Sequence, residues 1–245
     1  LRADTHFEPL RTPQQSFTQE SWSMFAHVNV RPATMPSILG GLTARHANCI
    51  TSEFHYRKGS EIYGEKEPAE YVYQVVSGAV RSYKLLSDGR RQIGAFHLVG
   101  DIFGLENAET HRFTAEAVVD TDVRLIRRMS LERVADSDFA LARNLLIMTT
   151  SNLQHAEDHM LLLGRKTALE RVAAFLLEMD RRLTGVGVVA LPMCRRDIAD
   201  YLGLTLETVS RALSKLHGYG AVDFLGSNQR EIMLIDRDQL SRLDN

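Results

Sequence analysis

From about Ser52 to Ile126 the chain alternates in twos. Tyr71, Tyr73 and Val75 interleave with Val72, Gln74 and Val76 until Gly78 interrupts, and Val80, Ser82 and Lys84 resume the period. Successive side chains of a strand point to opposite faces, so this alternation predicts strands. Glycines recur at Gly59, Gly64, Gly78, Gly89, Gly94, Gly100 and Gly104, and Ser87-Asp88-Gly89 makes a hairpin turn between Tyr83-Lys84-Leu85 and Gln92-Ile93-Gly94. Short strands separated by such turns imply an antiparallel roll, jelly roll or small barrel. From about Ser130 the glycines stop and a helical period takes over. Leu141, Leu145, Met148, Asn152, His155, His159 and Leu162 fall at alternating spacings of four and three, on one face of a long helix. That stripe predicts pairing with a second copy, its polar members fixing register; the alternative is that it packs on the roll of its own subunit. Gly164 permits a bend, after which Leu169, Val172, Phe175 and Leu176 mark another amphipathic helix. Residues 1 to about 30, with Pro9 and Pro13, read as a loosely packed arm, followed by a short helix through Ile38, Leu39 and Leu42.

Beyond Gly185 and Gly187 lies the most informative segment, CRRDIADYLGLTLETVSRALSKLHGYGAV, from Cys194 to Val222. Ile198 and Leu202 lie one turn apart on a first helix, Ala199 permits close approach of a neighbour, Gly203 turns the chain and Thr205 caps a second helix. Val209, Leu213 and Leu216 form the buried stripe of that second helix, which leaves Glu207, Ser210, Arg211 and Lys215 facing outwards. This is a helix-turn-helix pattern, whose second helix enters a DNA major groove. Arg donates two bonds to guanine O6 and N7, Glu accepts from cytosine N4, and Ser bonds several base edges. The alternative is a solvated face in an ordinary three-helix unit, as in a dimeric winged-helix module that binds protein. Ala221 to Leu225, a turn through Gly226-Ser227-Asn228, and Arg230 to Leu234 predict a wing, with Gln229 and Arg230 near its tip placed for phosphate.

Composition narrows this reading without deciding it. The 245 residues carry 29 basic and 31 acidic side chains, and 44% are hydrophobic, as in a folded soluble protein. Up to Gly164 there are 17 basic and 20 acidic residues, and after it 12 and 11, so the back part is only faintly basic. The case for DNA therefore rests on motif and placement. No run approaches a membrane span, and the start lacks a basic segment followed by an apolar one, so neither membrane nor secretory leader is expected. Because the chain starts at Leu1 without a Met, a trimmed or scarred end is also considered. Two cysteines, Cys49 and Cys194, exclude a disulfide scaffold and favour a reducing, cytoplasmic setting. Nucleophile-elbow, phosphate-loop and zinc-protease motifs are absent, and the roll lacks a cupin-like His and Glu set, so no enzyme is expected. His155 and His159 form the one helical pair that invites a metal, but on an apolar seam they are expected to hydrogen-bond rather than ligate.

The order of parts resembles the CRP/FNR family of bacterial transcription regulators over roughly Ile50 to Leu240. RDIADYLGLTLETVSRALSKL is similar to the FNR-type recognition unit, nearest to the FixK branch, and YVYQVVSGAVRSYKLLSDGRRQIGAFHLVGDIFG is similar to the family's beta roll. The resemblance implies an α+β fold: an arm and short helix over 1–48, a cyclic-nucleotide-binding-like antiparallel beta roll over 49–129, a dimerisation helix over 130–164, and a winged helix-turn-helix over 165–245. It also implies a homodimer, usually an activator that recruits bacterial RNA polymerase though some members repress by occupying the promoter, and low-oxygen respiration or nitrogen-fixation genes as targets. The family's E-x-x-S-R triplet falls on Glu207, Ser210 and Arg211, implying a palindrome close to TTGAT, four spacer pairs and ATCAA. Leu206 stands where the cyclic-AMP receptor has an arginine, so Leu206, Glu207, Ser210 and Arg211 are the expected base readers. Arg195, Arg196, Lys215 and Arg230 are the expected phosphate contacts.

Departures from the family set the remaining expectations. Cys49 is solitary where an oxygen-sensing cluster needs several thiolates, so no iron-sulfur cofactor is expected. Gly104 is followed by Leu105 before Glu106, and His111-Arg112 followed by Phe113 replaces the Arg-Ser pair of nucleotide binders, so no nucleotide is expected either, the alternative being a regulator gated by a nucleotide or other small effector in the roll. Cys194, at a helix start beside Arg195 and Arg196, is the candidate redox switch: a negatively charged oxidised sulfur near the DNA backbone would repel phosphate. Alternatively it is a small half-buried residue with no sensory role.

Overall fold

The structure is a computed structural model that describes residues 51–183, 187–226 and 230–244. The expected arm over 1–48, its short helix, Cys49, Gly185 and the Ser227-Asn228-Gln229 wing tip lie outside the described residues.

The roll is two antiparallel four-stranded sheets. One runs β1 (Thr51–Tyr56), β8 (Thr121–Arg127), β3 (Tyr71–Ser77), β6 (Ile102–Phe103); the other runs β2 (Glu61–Tyr63), β7 (Thr114–Ala117), β4 (Val80–Leu85), β5 (Arg91–His97). Alternation along β3 sorts its side chains between two apolar environments rather than between core and solvent. Tyr73 and Val75 join Tyr63, Val80, Phe103, Ala115 and Val123 inside the roll. Val72, on the opposite face, packs with Ile102, Ile126, Leu131, Val134, Leu141 and Met148. Gly78 makes the β3–β4 turn at φ +83°, and a Cβ there would lie 2.5 Å from the Asp120 carbonyl oxygen and from Thr121 Oγ1. Thr121 in turn satisfies Ala79, accepting from its N–H at 3.2 Å and donating to its carbonyl at 3.1 Å.

The expected single helix over 130–164 is two helices, α1 (Arg128–Ala135) and α2 (Phe139–Arg165). Asp138 separates them, its carboxylate accepting from the backbone N–H of Ala140 at 2.9 Å and Leu141 at 3.1 Å, as an N-cap does. The stripe expected to meet a second copy needs correction. Leu141 and Met148 are buried against the outer face of the roll, with Leu145 packed against the same cluster. Leu162 is buried in the core that also holds α3 (Ala168–Leu183). His155 and His159 meet Tyr201 of the same subunit, Nε2 of His155 lying 3.2 Å from its hydroxyl and His159 stacking on its ring at 4.1 Å. Asn152 is exposed and borders a cavity of the roll. The face left to solvent is a neighbouring heptad: Phe139, Leu146, Leu153 and Met160 are 83%, 64%, 58% and 66% exposed. Both stripes keep helical spacing, so periodicity alone could not say which one the roll would cover.

Arg171 fastens the bend between α2 and α3. It donates to the carbonyls of Lys166 at 2.9 Å, Leu163 at 2.8 Å and Leu202 at 2.9 Å, satisfying orphan groups at two helix ends. The back domain continues with β9 (Val188–Ala190), α4 (Arg195–Leu202), α5 (Leu206–Gly218), β10 (Val222–Leu225), β11 (Glu231–Leu234) and α6 (Arg237–Asp244). The wing is a three-stranded sheet in the order β10-β11-β9. One apolar core joins roll and back domain: Phe96 of β5 meets Tyr201 of α4 with ring centroids 5.2 Å apart and Phe175 of α3 at 6.4 Å. Among the described residues no helix is long and apolar enough to cross a membrane.

Candidate nucleic-acid interface

Helices α4 and α5 make the predicted helix-turn-helix. Cys194 precedes α4 with an extended backbone, and Asp197 reaches back to accept from the Cys194 N–H at 3.2 Å. Gly203 ends α4 in the left-handed region, at φ 62°, and Leu204 N–H closes the turn on the Ala199 carbonyl at 2.9 Å. Thr205 caps α5 through Oγ1, which accepts from Thr208 N–H at 3.2 Å. Val209, Ala212, Leu213 and Leu216 are buried beneath α5. They turn Glu207 and Arg211 fully outwards, with Leu206 and Ser210 half-buried between them. The predicted base readers therefore share the outward face of the first two turns of one helix, the part that meets base edges in this motif. Glu207 is held below the ordinary carboxylate range by its own backbone N–H at the helix start and by the Thr205 hydroxyl, so it is an acceptor at neutral pH.

The expected phosphate contacts divide by environment. Arg196 and Lys215 are exposed, the Lys215 ammonium lying over the Tyr219 ring at 5.6 Å. Arg230 is half-buried, just before β11. Arg195 turns inwards, donating to Ser210 Oγ at 3.3 Å and lying over Phe224 at 5.7 Å, so it braces the reading helix against the wing. Cys194 is half-buried, and its thiol donates to Asp197 Oδ2 at 3.1 Å. The thiol thus faces the Asp197 carboxylate, while the Arg195 expected beside it is directed to Ser210 and Phe224.

Comparison with known proteins agrees with both halves of the fold. The model of the Crp-like helix-turn-helix domain matches residues 170–243, and that of the cyclic nucleotide-binding domain matches residues 53–138. The nitrogen fixation regulation protein FixK of Azorhizobium caulinodans is 43% identical over 238 residues, covering 95% of this chain and 91% of its own. The chain belongs to the CRP/FNR family, in its FixK branch. The solved structure of FixK2 from Bradyrhizobium japonicum is 67% identical and superposes with a TM-score of 0.76, covering 80% of this chain and 98% of that one. A CooA mutant from Carboxydothermus hydrogenoformans, at 22% identity, shares the fold with a TM-score of 0.72 over 88% of this chain and 99% of its own. As a CRP/FNR-family member the protein is a DNA-binding transcriptional regulator and not an enzyme.

The family's roll raises the question of a cyclic nucleotide. In this CRP/FNR-family chain the corresponding cavity, about 390 Å³, lies between the roll and α2 and is lined by Ser82, His97, Phe103, Glu106, Arg112 and Asn152 among others. Burial holds His97 well below its ordinary value, at about 4, so it brings no positive charge. Arg112 is the one Lys or Arg in the lining; it is exposed and lies over Phe113 at 5.9 Å. Glu106 adds a carboxylate that accepts from Arg112 N–H at 3.2 Å. Arg112 and Glu106 cancel in charge and His97 is neutral, so the lining offers an anion no net positive charge and these residues do not fit a cyclic phosphate.

Sequence reasoning missed one cluster. Arg81 of β4 and Arg91 of β5 converge on Asp197 of α4, and Arg91 also reaches Asp200. Asp197 stood three residues after a helix start, a capping position, but nothing in the local pattern linked it to strands more than a hundred residues away.

Proposed function

We propose that two copies pair through the exposed α2 face and place their α5 helices in successive major grooves of a TTGAT-N4-ATCAA-like palindrome, activating transcription without a cyclic nucleotide. The observation that carries this reading is that Glu207 and Arg211 are exposed, with half-buried Ser210 between them, on the first turns of α5 above a fully apolar underside. RNA polymerase is the partner such an activator recruits, and the names of its FixK relatives, nitrogen fixation regulation proteins, point to nitrogen-fixation genes as targets. The test is fluorescence anisotropy of the reduced protein, with no effector added, on this palindrome and on a scrambled duplex at physiological salt. Selective binding to the palindrome is expected; equal binding to both overturns the half-site assignment.

Oxidation of Cys194 is the proposed control. Its place at the start of α4, beside Arg195 and Arg196, supports it, because an anionic sulfur there opposes approach of the DNA backbone. Peroxide should weaken operator binding by the wild type but not by Cys194→Ala. Equal sensitivity in the variant removes the role. The roll cavity favours a second reading, a small effector other than an anion. Calorimetric titration with candidate neutral ligands separates it from the effector-free reading.

A further inference from the structure

The contact between roll and DNA-binding domain is apolar at its centre and ionic at its rim. Arg81 donates to Asp197 Oδ1 at 2.8 Å, and Arg91 donates to the same oxygen at 2.6 Å and to Asp200 Oδ2 at 2.8 Å. The second arm of Arg81 pairs with Glu116 of β7. The other Asp197 oxygen accepts from the N–H and S–H of Cys194. Asp197 is 4% exposed, Arg81 13%, Arg91 20% and Asp200 23%, so these pairs are shielded far better than ordinary surface bridges. Gln92 adds a hydrogen bond to the Tyr201 carbonyl at 3.3 Å. All of these contacts grip α4 from behind. They leave the reading face of α5 open, so the gripped arrangement is one in which DNA can be read.

We infer that Arg81 and Arg91 of the roll are positioning residues for DNA reading. Through Asp197 and Asp200 they fix the orientation of the helix-turn-helix relative to α2, and so the separation of the two recognition helices in a dimer. The inference rests on the proposed palindrome reading. A dimer with pre-set helices binds its second half-site intramolecularly, with the orientation already in place. A domain freed from the roll would still read one half-site but would lose that advantage and tolerate other spacings.

The test uses the full chain as wild type, Arg91→Ala, Asp200→Ala, and the exchange Arg91→Asp with Asp200→Arg. Asp197 is spared because it also caps α4. Each protein is measured on the palindrome with spacers of three, four and six pairs, and on a lone TTGAT half-site. The single variants should bind the four-pair palindrome about tenfold more weakly, with a flattened spacing preference and unchanged half-site affinity. The exchange should recover part of the loss, because it restores the pair between positions 91 and 200 but sets a carboxylate at 91 beside Asp197. A parallel fall on the half-site, or an undiminished spacing preference, overturns the inference. A DNA-free arm follows amide hydrogen exchange over 91–98 and 197–202, which should quicken in the single variants and slow again in the exchange. If the wild type ignores TTGAT altogether, the palindrome reading fails on its own; unchanged amide exchange would then overturn the positioning contact as well.

Discussion

The α2 helix offers two apolar stripes, and they make opposite predictions. Leu146 and Leu153 lie on the solvent face, 64% and 58% exposed. Full burial of a leucine side chain is worth about 1.5 to 3 kcal/mol, so covering the remaining surface of each contributes about 1 kcal/mol beyond what alanine would keep. Two positions in each of two copies then contribute about 4 kcal/mol to association, near a thousandfold in the dimer dissociation constant. The double variant Leu146→Ala with Leu153→Ala should therefore dissociate at protein concentrations where the wild type is dimeric, as read by sedimentation velocity across a dilution series. Leu141→Ala with Met148→Ala should behave in the opposite way. Both side chains are buried against the roll of their own subunit, at 5% and 7% exposure. Each truncation should cost about 2 to 5 kcal/mol of folding stability and leave association of the folded protein nearly unchanged. If the Leu141 and Met148 variant dissociates while the Leu146 and Leu153 variant stays dimeric, the assignment of the two faces is wrong.

Arg211→Ala should cost about 1 to 3 kcal/mol on the operator and flatten preference at one base pair of each half-site. Lys215→Ala should instead weaken binding evenly across sequences and lower the salt slope by about one, and a uniform loss for Arg211 would contradict its reading role. Gly78→Ala forces a Cβ to within 2.5 Å of a backbone carbonyl at positive φ and should cost about 3 kcal/mol, whereas Gly89→Ala, at φ +82° with no atom within 4 Å, should cost only about 1 kcal/mol. Thermal melts of the two variants test that contrast. Burial lowers the pKa values of His97, His111 and His159, His97 to about 4. The unfolded chain therefore binds more protons as pH falls below about 6.5, so this stability is fully present above that pH and is lost towards pH 4, with His97 contributing no more than about 3 kcal/mol. Urea melts at pH 7 and pH 5 should show the loss, and His97→Gln should reduce it.

The helix-turn-helix was legible in the sequence because its determinants are local. A cap at Thr205, a turn at Gly203 and a stripe of Val209, Leu213 and Leu216 settle which face of α5 is buried, and so which face carries Glu207, Ser210 and Arg211. The strand alternation and its glycine turns likewise narrowed the front half to an antiparallel roll, jelly roll or small barrel, since period and turn chemistry act over a few residues, and the fold made it a roll of two four-stranded sheets. Two assignments depended on the fold. Whether Leu141 or Leu146 is left to solvent, and so open to the proposed second copy, depends on which side of α2 the outer face of β3 covers, and Val72 decides that from far along the chain. Asp197 read as an ordinary capping residue until the roll brought Arg81 and Arg91 to it. Helix period names the stripes and local chemistry names the caps, but a partner chosen by tertiary packing leaves no trace in the spacing of either segment.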